Sequence, residues 1–182
     1  MSRTNVILVL VGLSALSTSR SLFADAYGDL AKVQSAFMNA KSWQAEEHFS
    51  NGKTTIVEYS APDRWRVKPS PDITELVIGD DVYMVRNGHS TKLPFGGGMI
   101  KKMIQNVGLS VKDEIKETVR DLGMQTLEGQ SVHVYAFTAH GIEETLYVGR
   151  NMLPVQAVVN DKKATTTIKY SKYNAPISIE AQ

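Results

Sequence analysis

Trp43-Gln44-Ala45-Glu46-Glu47-His48-Phe49-Ser50-Asn51-Gly52-Lys53-Thr54-Thr55-Ile56-Val57-Glu58-Tyr59 decides the fold class. Trp43, Ala45, Glu47 and Phe49 alternate with polar neighbours, and Thr55, Val57 and Tyr59 do so again after Asn51-Gly52. Side chains on a strand point to opposite faces in turn, so this period of two predicts two half-buried strands, and Asn-Gly supplies a two-residue turn between them. A β-hairpin is the first element of a sheet.

The pattern continues outward on both sides. Upstream, Leu30, Val33 and Phe37, with Met38 beside them, mark the inward stripe of an opening helix over 27–40. Downstream, Ala61-Pro62-Asp63 interrupts the pairing, Trp65 and Val67 resume it, and Pro69-Ser70-Pro71 ends it because proline cannot donate to a central ladder. Strands over 74–78 and 82–85 follow across Gly79-Asp80-Asp81, and Asn87-Gly88 leads to a short strand through Lys92 and Leu93. Five more are predicted over 124–127, 131–138, 143–148, 155–159 and 165–170, separated by connections of hairpin length. So many antiparallel strands must curl as sheet twist accumulates. The expected class is α+β: a strongly curled antiparallel sheet, forming an unclosed β-barrel, with helices covering its concave face.

Between the two runs of strands the period changes. From Phe95 to Leu109, Met99, Ile100, Met103, Ile104 and Val107 share one helical face opposite Lys101, Lys102, Gln105 and Asn106. Methionine suits a surface that accepts varied apolar partners, so this helix is expected to act as a lid. A second helix is expected over 111–122, with Ser110 at its start, Val111, Ile115, Val119 and Leu122 as its stripe, and Gly123 as its stop.

The first 26 residues read as a cleaved secretory signal peptide: Arg3, an apolar run from Val6 to Leu16, then a polar stretch ending in Ala24-Asp25-Ala26. The run is too short to span a bilayer. Cleavage after Ala26 fits the small-x-small rule best, and cleavage after Ala24 is the alternative. Residues 27–182 then form a single domain of about 156 residues, with no transmembrane segment. A periplasmic, monomeric protein is expected. The chain has no cysteine, hence no disulfide framework and no lipid-modified cysteine. Its net charge of +1 gives no reason to expect a nucleic-acid partner.

Catalytic patterns are missing. There is no G-x-S-x-G and no H-E-x-x-H, and His48, His89, His133 and His140 are scattered without helical ligand spacing. Phe95-Gly96-Gly97-Gly98 lacks the Gly-Lys-Ser/Thr ending of a phosphate loop. Asp80-Asp81 and Glu143-Glu144 are adjacent pairs whose members face opposite ways on a strand. The expectation is therefore a protein that is not an enzyme and uses no cofactor or metal.

The order of parts resembles the LolA-like superfamily. The resemblance rests on Tyr59-Ser60-Ala61-Pro62-Asp63-Arg64-Trp65-Arg66, Val77-Ile78-Gly79-Asp80-Asp81-Val82-Tyr83 and Leu146-Tyr147-Val148-Gly149-Arg150-Asn151-Met152-Leu153-Pro154, closed by Tyr170-Ser171-Lys172-Tyr173-Asn174-Ala175-Pro176-Ile177. It spans nearly the whole of the expected mature chain. The superfamily includes periplasmic lipoprotein carriers, mycobacterial lipid-binding lipoproteins and the sensory domain of a σ-factor regulator. It implies an unclosed β-barrel whose helices cover an apolar concavity. The carrier's latch is an arginine before the strand proline, and here Ala61 precedes Pro62, so lipid binding is implied more strongly than lipoprotein shuttling. Trp65 between two arginines is expected to point inward and both arginines outward.

Two functions from different classes follow. The first is a carrier or binding protein for a lipid or acylated protein, with Met99, Ile100, Met103 and Ile104 from the lid and Trp65, Val67, Leu146 and Val148 from the sheet as ligand contacts. The second is an envelope-stress sensing or scaffold domain with a self-filled trough, docking another envelope protein through an aromatic strand edge around Tyr170 and Tyr173.

Overall fold

The structure, a computed structural model, describes residues 19–94, 115–139, 141–162 and 164–181, with side chains in the first helix described from Ala26 onward. Helix α1 (Ser19–Met38) precedes β1 (Ser42–Phe49), β2 (Thr54–Ser60), β3 (Arg64–Ser70), β4 (Ile73–Ile78), β5 (Asp81–Arg86) and β6 (His89–Lys92). After the break come β7 (Arg120–Leu127), β8 (Gln130–Ala139), β9 (Ile142–Val148), β10 (Pro154–Asp161) and β11 (Ala164–Ser171). Each run of strands is a meander of hairpins, because the connections are too short for any other pairing.

The two meanders meet at β1 and β11. Among the described residues all eleven strands form one antiparallel sheet in the order β6-β5-β4-β3-β2-β1-β11-β10-β9-β8-β7. The sheet is not closed: β6 and β7 are its ends. Register sorts the side chains onto two faces. One row on the first face runs Trp43, Tyr59, Trp65, Val77 and Val82 across β1 to β5. Another runs Ile168, Ala157, Leu146 and Tyr135 across β11 to β8. The row Gln44, Glu58, Arg66, Leu76 and Tyr83 lies on the opposite face.

Helix α1 packs on the first face. Ala26, Leu30 and Val33 are buried with Tyr135, Phe137, Leu146, Val148 and Ala157, and Ile115 and Val119 complete this cluster. One turn later Phe37 joins Trp43, Ala45 and Val57 in a second cluster, with Ile168 and Tyr170 packed against both. The stripe at 30, 33 and 37 thus faces the sheet, but Met38 stands 72% exposed at the helix end, turned away from it.

Three expectations need correction. The expected helix over 111–122 is not formed in its described part. Ile115 to Thr118 is a turn closed by the Val119 amide donating to the Ile115 carbonyl at 3.0 Å, and β7 begins at Arg120. The ladder with β8 overrides the helical period, and Gly123 occupies a bulge in that ladder at φ +75° instead of stopping a helix. Ile115 and Val119 are fully buried, while Leu122 is 45% exposed. β3 ends at Ser70, within the Pro69-Ser70-Pro71 cluster as expected, and Pro69 sits at a register shift between Val67 and Ser70, a position where the ladder needs no donor. The Asn51-Gly52 turn lies in a four-residue connection, with the Phe49 amide donating to the Lys53 carbonyl. Finally, Tyr170 and Tyr173 are at no sheet edge. β11 is paired on both sides, by β1 and β10, so the edge proposed for docking does not exist there.

Candidate functional site

The β1 to β5 half of the helix-bearing face is an aromatic surface. Trp43 is central. Its ring lies 5.0 Å from Phe37, 5.9 Å from Tyr59, 5.5 Å from Trp65 and 6.4 Å from Tyr170. Tyr59 and Trp65 are 4.6 Å apart, and Phe37 meets Tyr170 and Tyr173 edge-on at 5.6 and 6.3 Å. Tilted and edge-to-face pairs at these separations each contribute about 0.5–1.5 kcal/mol beyond area burial, which fixes the rings as a rigid set. Trp43 is buried, but Tyr59, Trp65 and Val67 remain partly exposed, as does Tyr170.

The expected site residues fall into three groups. Trp65 and Val67 stand together on this surface, between the cluster around Trp43 and the small Val77–Val82 cluster. Leu146 and Val148 sit on the same face but in the other half, only 1% and 2% exposed beneath Leu30 and Val33. Met99, Ile100, Met103 and Ile104 lie outside the described residues.

Register places several carboxylates on this face, Glu75 beside Val67 and Asp121 beside Tyr135 among them, and burial perturbs two others. Glu47 is opposite Ile168 on β11, and Glu144 is opposite Val159 on β10. Among the described residues neither has a hydrogen-bonding or ion-pair partner, and burial raises the pKa of both. Burial raises the Tyr170 phenol too, with the negative charges of Glu47 and Glu144 adding to the effect. Tyr173 is pushed up chiefly by burial, and its hydroxyl donates to the Pro154 carbonyl at 2.8 Å, tying the chain after β11 to the start of β10. Alternation registered Glu47, and Glu144 was read only as one of an adjacent acidic pair, because a glutamate at an inward position carries no sequence signal of its own.

The opposite face is braced by the chain end. Arg64 and Arg66 point away from Trp65. Arg64 donates to the Ile179 carbonyl at 2.8 Å, and Arg66 donates to the Ser178 carbonyl and to Glu58 Oε2, the latter at 2.6 Å. Ile179 is buried to 1% exposure. Nothing in the pattern of residues 175–181 distinguished this segment from a loose tail.

Among the described residues, no group of three or more His, Asp or Glu gathers in a metal-binding arrangement, and no helix is long and apolar enough to cross a membrane. No protein-family model and no curated protein matches the chain in sequence. Solved structures do match in fold. The Mycobacterium tuberculosis lipoprotein LppX superposes with a TM-score of 0.61 at 12% identity, over 90% of this chain and 100% of that one. LprF from Mycobacterium bovis does so with a TM-score of 0.58 at 14% identity, over 86% and 96%.

Proposed function

We propose that this chain, whose fold is LolA-like, is an exported binding or carrier protein for a lipid or acylated protein, held on the helix-bearing face of the sheet. The observation that carries the reading is the partly exposed apolar surface of Tyr59, Trp65 and Val67 over the buried Trp43. Covering such apolar surface contributes roughly 25 cal/mol per Å², so an acyl chain laid along it binds without any specific polar contact. The face divides in two. Leu146 and Val148 form a floor sealed by α1, while Trp65 and Val67 provide the contact surface. The segment carrying Met99, Ile100, Met103 and Ile104 covers the ligand from the other side in this reading.

The interior carboxylates orient the ligand. Burial already disfavours the ionised form of Glu47 and Glu144, and a further carboxylate buried beside them would bear the same desolvation cost, so an anionic headgroup points out toward solvent while the hydrocarbon lies inside. Export through the leader over 1–26 places the protein in the periplasm, and it acts there as a monomer without cofactor or metal. The test is mass spectrometry of lipids extracted from the purified protein, together with titration of a fluorescent fatty acid. A lipid-free protein that also leaves the probe unbound would refute the proposal.

A further inference from the structure

Register separates charge between the two faces of the sheet. Glu47, Glu75, Asp121 and Glu144 project to the helix-bearing face, whereas Arg64, Arg66, Lys68, Lys92 and Lys169 project to the other. Arg86 shares the acidic face by parity but is exposed at the end of β5. Asp121 is already engaged, accepting from the Gly123 amide at 2.7 Å and pairing with His133 at 2.6 Å. Glu47 and Glu144 have no such partner among the described residues. A third polar group stands with them. Tyr170 lies opposite Ala45 on β11, so it is the diagonal neighbour of Glu47, within reach of a long side chain. Its ring keeps some exposure, but its phenol oxygen is deeply enclosed, feels the charge of both glutamates and makes no hydrogen bond among the described residues. The row Tyr170, Ala45, Val57 and Val67 joins this polar set directly to the apolar surface beside Trp65.

An ionised carboxylate only accepts hydrogen bonds, and a phenol oxygen accepts as well as donates. Glu47, Glu144 and Tyr170 therefore offer acceptors and negative charge with almost no donors. A primary ammonium is the complement, since it carries three N–H donors and one positive charge, whereas a carboxylate or phosphate headgroup brings more of what the set already has. A cation seated there also offsets the cost of holding the glutamates away from water. We propose that the ligand of this face is a cationic amphiphile, its primary ammonium held by Glu47, Glu144 and Tyr170 and its hydrocarbon laid against Trp65 and Val67. The inference rests on the lipid-binding reading above and narrows it to an amine-bearing lipid. An anionic headgroup is turned outward, and an ammonium is taken in.

The test is displacement of the neutral fluorescent probe N-phenylnaphthylamine by decylamine, decanol and decanoate, which share a chain length and differ in headgroup. At pH 7 decylamine should bind about tenfold tighter than decanol, the expected gain from hydrogen bonds between charged groups, and decanoate should bind no tighter than decanol. Glu47→Gln with Glu144→Gln removes buried charge without removing volume, so the variant should fold, bind decanol as the parent does and bring decylamine to within about twofold of it. Tyr170→Phe, which deletes one acceptor and keeps the ring, should reduce the preference for the amine and leave decanol binding unchanged. Decylamine binding no tighter than decanol in the parent, or a full preference surviving in either variant, overturns the ammonium site and leaves the lipid-binding reading standing. A protein that binds neither the probe nor any of the three chains overturns both.

Discussion

Leu146→Ala and Trp65→Ala separate the two halves of the helix-bearing face. Leu146 is 1% exposed and packed in the cluster that α1 closes through Leu30 and Val33. Truncating it removes apolar contacts in a site that a docked helix holds open, so a loss of about 3–4 kcal/mol is expected. For a domain of this size that corresponds to a melting temperature lower by about 6–16 °C. Trp65 is partly exposed, with its ring held by Tyr59 and Trp43, and its truncation costs less, about 1–3 kcal/mol. Binding runs the other way. Trp65→Ala weakens a fluorescent fatty acid by tenfold or more, a change of about 1.4 kcal/mol, while folded Leu146→Ala binds within about twofold of the parent. Urea unfolding with an unchanged slope and a probe titration on the same samples read both quantities. A Leu146→Ala loss below about 1 kcal/mol would show that α1 does not seal this half. Undiminished binding by Trp65→Ala would remove the aromatic surface from the site.

Other outcomes follow from single contacts. Burial raises the Glu47 and Glu144 pKa values above the ordinary 4.5, so between that value and the folded-state pKa the folded chain binds more protons than the unfolded one. Stability therefore falls as pH rises through this window, and Glu47→Gln with Glu144→Gln should be stabilised at pH 7 with the gain vanishing near pH 4, measured by urea unfolding at both. Glu58, with a side chain 9% exposed, neutralises Arg66 at 2.6 Å. Glu58→Gln should cost about 2 kcal/mol, short of the ~3–5 of a fully buried pair because Arg66 retains some water, and a Glu58→Gln/Arg66→Met double variant should lose less than the sum of its parts. Gly123 at φ +75° has open space where a Cβ would stand, so Gly123→Ala should cost about 1–2 kcal/mol from backbone strain alone, read as a shifted urea midpoint.

Much of this architecture is legible in local pattern. Alternation at 43–49 and 55–59, the turn residues between strands, and the stripe at Leu30, Val33 and Phe37 identify hairpins and a docked helix, because strand and helix periods are properties of a few consecutive residues. The helix expected over 111–122 shows where that logic stops. Ile115, Val119 and Leu122 have helical spacing, yet the partner strand β8 supplies a ladder that the local sequence does not contain. Tyr170 and Tyr173 read equally well as an exposed edge until the long-range pairing of β1 with β11 encloses them.

Local residue pattern is enough to establish two meanders of antiparallel strands with an amphipathic helix ahead of them. It also determined that Trp65 projects to the face away from its flanking arginines, since side-chain alternation is fixed by the backbone. Which apolar residues are sealed and which remain open depends on long-range packing. Leu146 and Trp65 are alike in pattern, but α1 covers the first and leaves the second in reach. Only the tertiary structure gave Arg64 and Arg66 their role as well. Their partners lie more than a hundred residues away in the chain, and no local period encodes a contact that depends on where the C-terminal segment comes to rest.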